Sequence, residues 1–237
     1  MLRTIIFTVV ITIITILGVL ITIPVGIVNP YSRINTAVIR LWSRILVWVA
    51  GIRLKVEGLE NIQKGQSYIV IGNHQSHMDI PVTVTALPLP IRIMSKKELF
   101  KIPVFGWGMR SVGILEIDRS NRKRAIETLS QAEGIILKNR LSILAFPEGT
   151  RSKDGKIHAF KKGPFILAIN TQLPVLPISI SGTRKILPKG TLKLKGGKVL
   201  VKIHSPISTK GLTIDDRHDL LKVSKEIIES GFIENYG

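Results

Sequence analysis

Ser67-Tyr68-Ile69-Val70-Ile71-Gly72-Asn73-His74-Gln75-Ser76-His77-Met78-Asp79 is an apolar, β-branched run that empties into a polar turn, with an imidazole and a carboxylate five positions apart. The run has the length and composition of a buried strand. In an open α/β sheet, ligands gather in the crevice outside the carboxyl ends of the strands. His74 is therefore expected to project there, and Asp79 to open the next helix. A histidine oriented by an acid is the smallest general-base device: the carboxylate selects the tautomer and stabilises the imidazolium formed when the other ring nitrogen takes a proton. Such a base contributes about 10²–10⁴-fold to a rate. The chain has no cysteine, and Ser76 stands two residues from His74, a spacing that a single turn rarely makes productive. The reacting hydroxyl is therefore expected to come from the substrate. The competing reading makes His74 a satisfied loop histidine and Asp79 a helix cap.

A second apolar run, Leu141 to Phe146, ends the same way, in Pro147-Glu148-Gly149-Thr150-Arg151-Ser152. Pro147 removes a donor, Gly149 permits close backbone approach, and Arg151 offers a planar fork suited to phosphate or carboxylate. The plain alternative is a loop in which Glu148 and Arg151 pair with each other. Strand-like runs at 53–56, 68–72, 91–94, 114–117, 142–146, 175–181 and 199–203 alternate with helical patterns at about 79–87, 97–110, 121–138, 160–171 and 215–233. This alternation predicts an α/β fold, a mixed, mostly parallel sheet flanked by helices, over residues 53–237.

Residues 1–52 read differently. From residue 4 to 32 there is no charge, and Thr4 to Ile23 is almost wholly Ile, Thr, Val and Leu. Twenty helical residues span about 30 Å, one hydrocarbon core. Thr4, Thr8, Thr12, Thr15 and Thr22 give this helix a mildly polar face, and Pro24, Gly26 and Pro30 are expected to break it. Tyr31 to Ala50 then reads as a basic amphipathic helix, with Arg33, Arg40 and Arg44 toward anionic headgroups and interfacial tryptophans. A soluble helix packed on the domain is the alternative. The expectation is an N-terminal membrane-associated helical hairpin, with the main domain on the cytoplasmic side of the cell's inner membrane. A secretory leader fits poorly, since the apolar region is long and no small-x-small site follows it.

The formal net charge is +18, of which residues 54–237 carry +13, and between Asp154 and Asp215 eleven Lys or Arg occur without an acid. Such a field suits anionic lipid, nucleic acid, or an acidic carrier and a phosphorylated substrate. Nucleic acid is set aside, because no recognition motif accompanies the charge and the apolar N-terminus points to lipid. His74, His77 and Asp79 make a poor zinc set: the turn is tight and Cys is absent.

Four blocks in order, NHQSHMD at 73–79, SKKELFKIPVFGW at 95–107 leading into GILEIDR at 113–119, FPEGTRS at 146–152 and LPVLPI at 173–178, resemble the 1-acylglycerol-3-phosphate O-acyltransferases of the glycerolipid acyltransferase family. The resemblance implies His74 as base with Asp79 as its orienter. It also implies Arg119 and Arg151 on the substrate phosphate with Lys96 as a further contact, and Asn73, Glu148, Gly149 and Thr150 shaping the site. Arginine at the phosphate agrees with its charge-assisted fork. No role is carried to His77. The implied reaction moves a fatty acyl group from acyl-CoA or acyl carrier protein to the sn-2 hydroxyl of lysophosphatidic acid, without cofactor or metal and at a membrane lipid surface. The product would be phosphatidic acid. The alternatives are another acceptor, such as glycerol 3-phosphate or a different lysophospholipid, and a non-catalytic binder of anionic lipid. Ser95 and Glu116 depart slightly from the family pattern.

Overall fold

Seven strands make one sheet in the computed structural model, which describes residues 2–117 and 122–237 and, within 122–129, the backbone alone. In chain order the elements are α1 (Leu2–Val28), α2 (Arg33–Val49), β1 (Ile52–Glu57), β2 (Ile69–Gly72), α3 (Asp79–Ala86), β3 (Ile91–Lys96), α4 (Phe105–Ser111) and β4 (Leu115–Ile117). There follow α5 (Arg122–Asn139), β5 (Ser142–Ala145), α6 (Gly163–Thr171), β6 (Val175–Ser181), α7 (Thr183–Ile186), β7 (Gly197–Ile203) and α8 (Arg217–Gly231). The sheet order is β1-β7-β6-β2-β5-β3-β4, parallel throughout except for the antiparallel pair β6 and β7. This is the mixed, mostly parallel sheet that the alternating runs predict.

β2, β5 and β6 are buried at every residue, as strands covered on both faces are. Successive side chains go to opposite faces. Val70 and Leu144 join Leu46, Val82 and Leu87 in one core. Ile69, Ile71 and Ile143 join Ile136, Phe165, Leu167 and Ile228 in the other.

Three local expectations change. α1 continues through Pro24 to Val28. One proline removes one i→i−4 bond, and the last turn is held from outside. Ser111 Oγ donates to Thr22 Oγ1 at 2.8 Å, and Gly26 lies so near the Ser111 carbonyl that a Cβ would collide with it. Of the three expected breakers, Pro30 lies in the break, at residues 29–32, where Ser32 caps α2 by accepting from the Asn35 N–H. The helix expected over 97–110 is two pieces, a 3-10 turn at Lys97–Lys101 and then α4. Pro103 cannot donate, and Ile102 before it is held extended at φ −72°, ψ 120°.

The third change concerns α2, which packs on the domain. Leu46, Val47 and Ala50 enter the core, and Arg40 donates to the carbonyls of Leu87 and Leu89. Those loop carbonyls need donors, and Arg40 supplies them where headgroup phosphates were expected. α1 docks by its threonine face: Thr4 Oγ1 accepts from the Leu194 N–H, Thr15 Oγ1 from Trp42 Nε1, and Thr22 Oγ1 from Ser111. Its other face leaves Ile5, Val9, Ile13, Leu17 and Leu20 exposed. By length and composition α1 could cross a membrane. Arg92 on β3 is wholly buried and donates to the carbonyls of Ile91 and Pro30 and to Thr36 Oγ1, tying the turn between α1 and α2 to the sheet. Burial pulls its guanidinium down to about 10.

Candidate active site

β2 and β5 are parallel neighbours, with Val70 beside Leu144 and Ile71 beside Ala145, so the two apolar runs end together. Their polar continuations meet at one edge of the sheet, although His74 and Glu148 are 74 positions apart in sequence. Two backbone links join them. Glu148 Oε1 accepts the His74 N–H at 2.7 Å, and the Ser152 N–H donates to the His74 carbonyl at 2.8 Å. Asn73 fastens the same turn to β6, donating to the Ile180 carbonyl at 2.9 Å and accepting the Ile180 N–H at 2.8 Å.

Asp79 is fully buried at the first residue of α3, and one of its oxygens does all the work. Oδ2 accepts from His74 Nδ1 at 2.8 Å and from the backbone N–H groups of Gln75 at 2.7 Å and Ser76 at 2.8 Å. Oδ1 has no hydrogen-bond partner among the described residues. A carboxylate can only accept, so this contact assigns the proton to Nδ1 and leaves Nε2 as the basic nitrogen. The His74 side chain retains 16% of its exposure. Phe146 stacks on the imidazole, with centroids 4.2 Å apart and planes 11° from parallel. Ser76 is buried, its Oγ donating to the Leu187 carbonyl and accepting the Met78 N–H, so it is not placed as a nucleophile.

In the second loop Glu148 bonds backbone and not Arg151: besides His74 it holds the His158 N–H at 3.1 Å. Burial keeps the Glu148 carboxyl above the ordinary glutamate value, opposed by these two N–H groups. Gly149 has φ +73°, a left-handed conformation suited to glycine, and an added Cβ would press on the Lys161 side chain at 3.0 Å. Thr150 Oγ1 and the Arg151 carbonyl both accept from Lys189 Nζ at 2.8 Å. Arg151 is half-buried, which lowers its guanidinium, while the nearby Asp79 carboxylate acts the other way. His77, next along the turn, is held below the ordinary histidine value by partial desolvation and then by Arg151 and His74.

The structure therefore gathers His74, Asp79, Asn73, Glu148, Gly149, Thr150 and Arg151 where β2 and β5 end. Lys96 is exposed at the end of β3 beside Ile117 of β4, and no hydrogen bond among the described residues ties it to this group. Arg119 lies outside the described residues. Sequence reasoning missed Phe146 as a ring support and Lys189 as a brace. Phe146 sits inside a quoted block and was legible there. Lys189 is 38 positions from Arg151, with no local signal to connect them.

The arrangement offers a basic imidazole nitrogen held by a buried carboxylate, beside a guanidinium able to take an anion. The family model for acyltransferases matches residues 53–181. The 1-acyl-sn-glycerol-3-phosphate acyltransferase of Limnanthes douglasii is 34% identical over 202 residues, 84% of this chain and 70% of that protein. The 1-acyl-sn-glycerol-3-phosphate acyltransferase alpha of Homo sapiens is 32% identical over 217 residues, 88% of this chain and 77% of that one. The crystal structure of the 1-acyl-sn-glycerophosphate acyltransferase PlsC from Thermotoga maritima matches with a TM-score of 0.81 at 32% identity, over 97% of this chain and 93% of that chain. Similar to these proteins over most of its length and across nearly the whole fold, the chain belongs to the acyltransferase family.

Proposed function

We propose that this enzyme transfers a fatty acyl group from an acyl thioester to the sn-2 hydroxyl of 1-acyl-sn-glycerol 3-phosphate, making phosphatidic acid. The observation that carries the reading is the fixed His74–Asp79 pair, with Nδ1 committed to the carboxylate and Nε2 left to act. His74 Nε2 takes the proton of the acceptor hydroxyl as its oxygen attacks the thioester carbon. The tetrahedral oxyanion collapses, the carbon–sulfur bond breaks, and the thiolate takes the proton back from the imidazolium. Arg151 holds the acceptor phosphate, a role that the resemblance to the family extends to Arg119 and Lys96. Phe146 and Asp79 keep the ring oriented, and Glu148 keeps the His74 backbone in register. The similarity to enzymes named for 1-acyl-sn-glycerol 3-phosphate supports this acceptor.

The acceptor and product are lipids, so the crevice belongs at a membrane surface. α1 touches the domain from Thr4 to Gly26, which favours a helix lying along the domain with its exposed apolar face in one leaflet, the domain being cytoplasmic. The test is transfer from labelled oleoyl-CoA, and in parallel from palmitoyl-acyl carrier protein, to 1-acylglycerol 3-phosphate in detergent micelles, wild type beside His74→Ala. Phosphatidic acid from wild type alone is expected. No product from either donor with folded protein overturns the acceptor, and full activity in His74→Ala overturns the base.

A further inference from the structure

The catalytic crevice does not use up the acid-free basic run between Asp154 and Asp215. Part of that run folds into a cleft of about 530 Å³ beside the His74 turn, lined by Gln75, by Arg184 and Lys185 of α7, by Lys195 just before β7 and by Lys198 within it. Glu234 is the one carboxylate side chain among its described lining residues. Among the described residues none of these four cations pairs with a carboxylate side chain. Arg184 Nη2 donates to the Lys153 carbonyl at 2.9 Å, and Lys185 Nζ donates to the carbonyls of Asn235 and Gly237 at 3.1 and 2.8 Å. Lys195 and Lys198 are exposed. Gln75 is 2% exposed, yet neither its Nε2 nor its Oε1 has a hydrogen-bond partner among the described residues. A buried amide is normally satisfied on both atoms, by protein, water or ligand.

We propose that this cleft binds the nucleotide phosphates of coenzyme A, with the Gln75 amide taking a polar group of the pantetheine arm, so that the thioester is delivered to the turn that carries His74. The inference rests on the acyl-thioester reading above and names the donor class. The cations supply charge-assisted bonds to phosphate oxygens. A concave site of this size suits a small ligand, whereas a carrier protein would need a broad surface.

The test compares wild type with Lys195→Glu/Lys198→Glu, two exposed positions, after thermal melts establish that both proteins fold. Binding of unacylated CoA is titrated calorimetrically, also on His74→Ala protein so that no turnover is needed, and KM is measured for oleoyl-CoA and for 1-acylglycerol 3-phosphate. The expected result is at least tenfold weaker CoA binding and a KM for oleoyl-CoA raised by a similar factor, with the KM for the acceptor unmoved. Equal CoA affinity in the double variant, with transfer intact, overturns the cleft and leaves the acyltransferase reading standing. Transfer from acyl carrier protein but not oleoyl-CoA, with no CoA bound, does the same and makes the carrier protein the donor. CoA bound by wild type and weakened in the double variant, but no transfer from either donor, supports the cleft and overturns the proposed reaction.

Discussion

Replacing Asp79 with asparagine separates the two jobs of this carboxylate, because the structure gives all three of its hydrogen bonds to one oxygen. An asparagine carbonyl placed where Oδ2 now sits keeps the Gln75 and Ser76 N–H groups satisfied and keeps the proton on His74 Nδ1. The side-chain NH₂ falls where Oδ1 has no partner among the described residues, and it stays buried. An unmade bond of that kind costs about 1–3 kcal/mol of stability. What disappears from the reaction is the negative charge facing the transient imidazolium. Two unit charges about 4 Å apart interact by about 4 kcal/mol at an effective dielectric of 20, which sets a ceiling of about 10³ on the loss of rate. Asp79→Asn is therefore expected to lower kcat/KM by about 10²–10³. Asp79→Ala also strips two buried N–H groups of their acceptor, adding about 2–6 kcal/mol of destabilisation. The assay is transfer from oleoyl-CoA to 1-acylglycerol 3-phosphate in micelles, paired with urea unfolding of each variant. Asp79→Asn activity within threefold of wild type would refute the reasoning and reduce Asp79 to an anchor of the turn.

Four further outcomes are expected. Lys189→Met removes the brace on Thr150 and the Arg151 carbonyl. The KM for the acceptor should then rise several-fold to about tenfold, a few charge-assisted bonds' worth, and an unchanged KM would remove Lys189 from the site. Gly26→Leu drives a Cβ into the Ser111 carbonyl and should lower the melting temperature by several degrees, at about 2–4 °C per kcal/mol for a chain of this size. Gly134→Ala on α5, where nothing lies within 4 Å of the new methyl, should hold or raise it. His204 is held below the ordinary histidine value by burial and then by Lys202, with Nε2 2.8 Å from Ser179 Oγ. Below pH 6.5, the ordinary value, the unfolded chain binds more protons at this residue than the folded one. This contribution is complete above that pH and is lost as pH falls through the depressed folded value. Melts from pH 7.5 to 5 should show the decline, and His204→Gln should flatten it; an unaltered slope rejects the assignment.

Much of the local geometry was legible in one dimension. Apolar run followed by polar turn marks where a buried strand reaches the crevice, and it did so twice, at Gly72 and at Phe146. The His74 and Asp79 spacing closes within a single turn, so their pairing needed no long-range information. Backbone conflicts were less legible: Pro24 reads as a breaker, yet α1 passes through it because Ser111 holds the last turn from another helix. The partner of Glu148 could not be read either. Arg151 stands three residues away in sequence, but sheet order sets Glu148 against the backbone of a neighbouring strand's turn, where buried N–H groups had to be satisfied. Arg40 and Lys189 belong to the same class. A residue pattern reports how deeply each position is buried, because burial follows local periodicity. It does not report which carbonyl or amide a long polar side chain will meet, because strand order and helix docking decide that. The amino-acid sequence alone therefore determined most element types and the pairing of His74 with Asp79. The tertiary structure decided what braces them, how α1 and α2 lie on the domain, and where a second, cationic cleft opens beside the same turn.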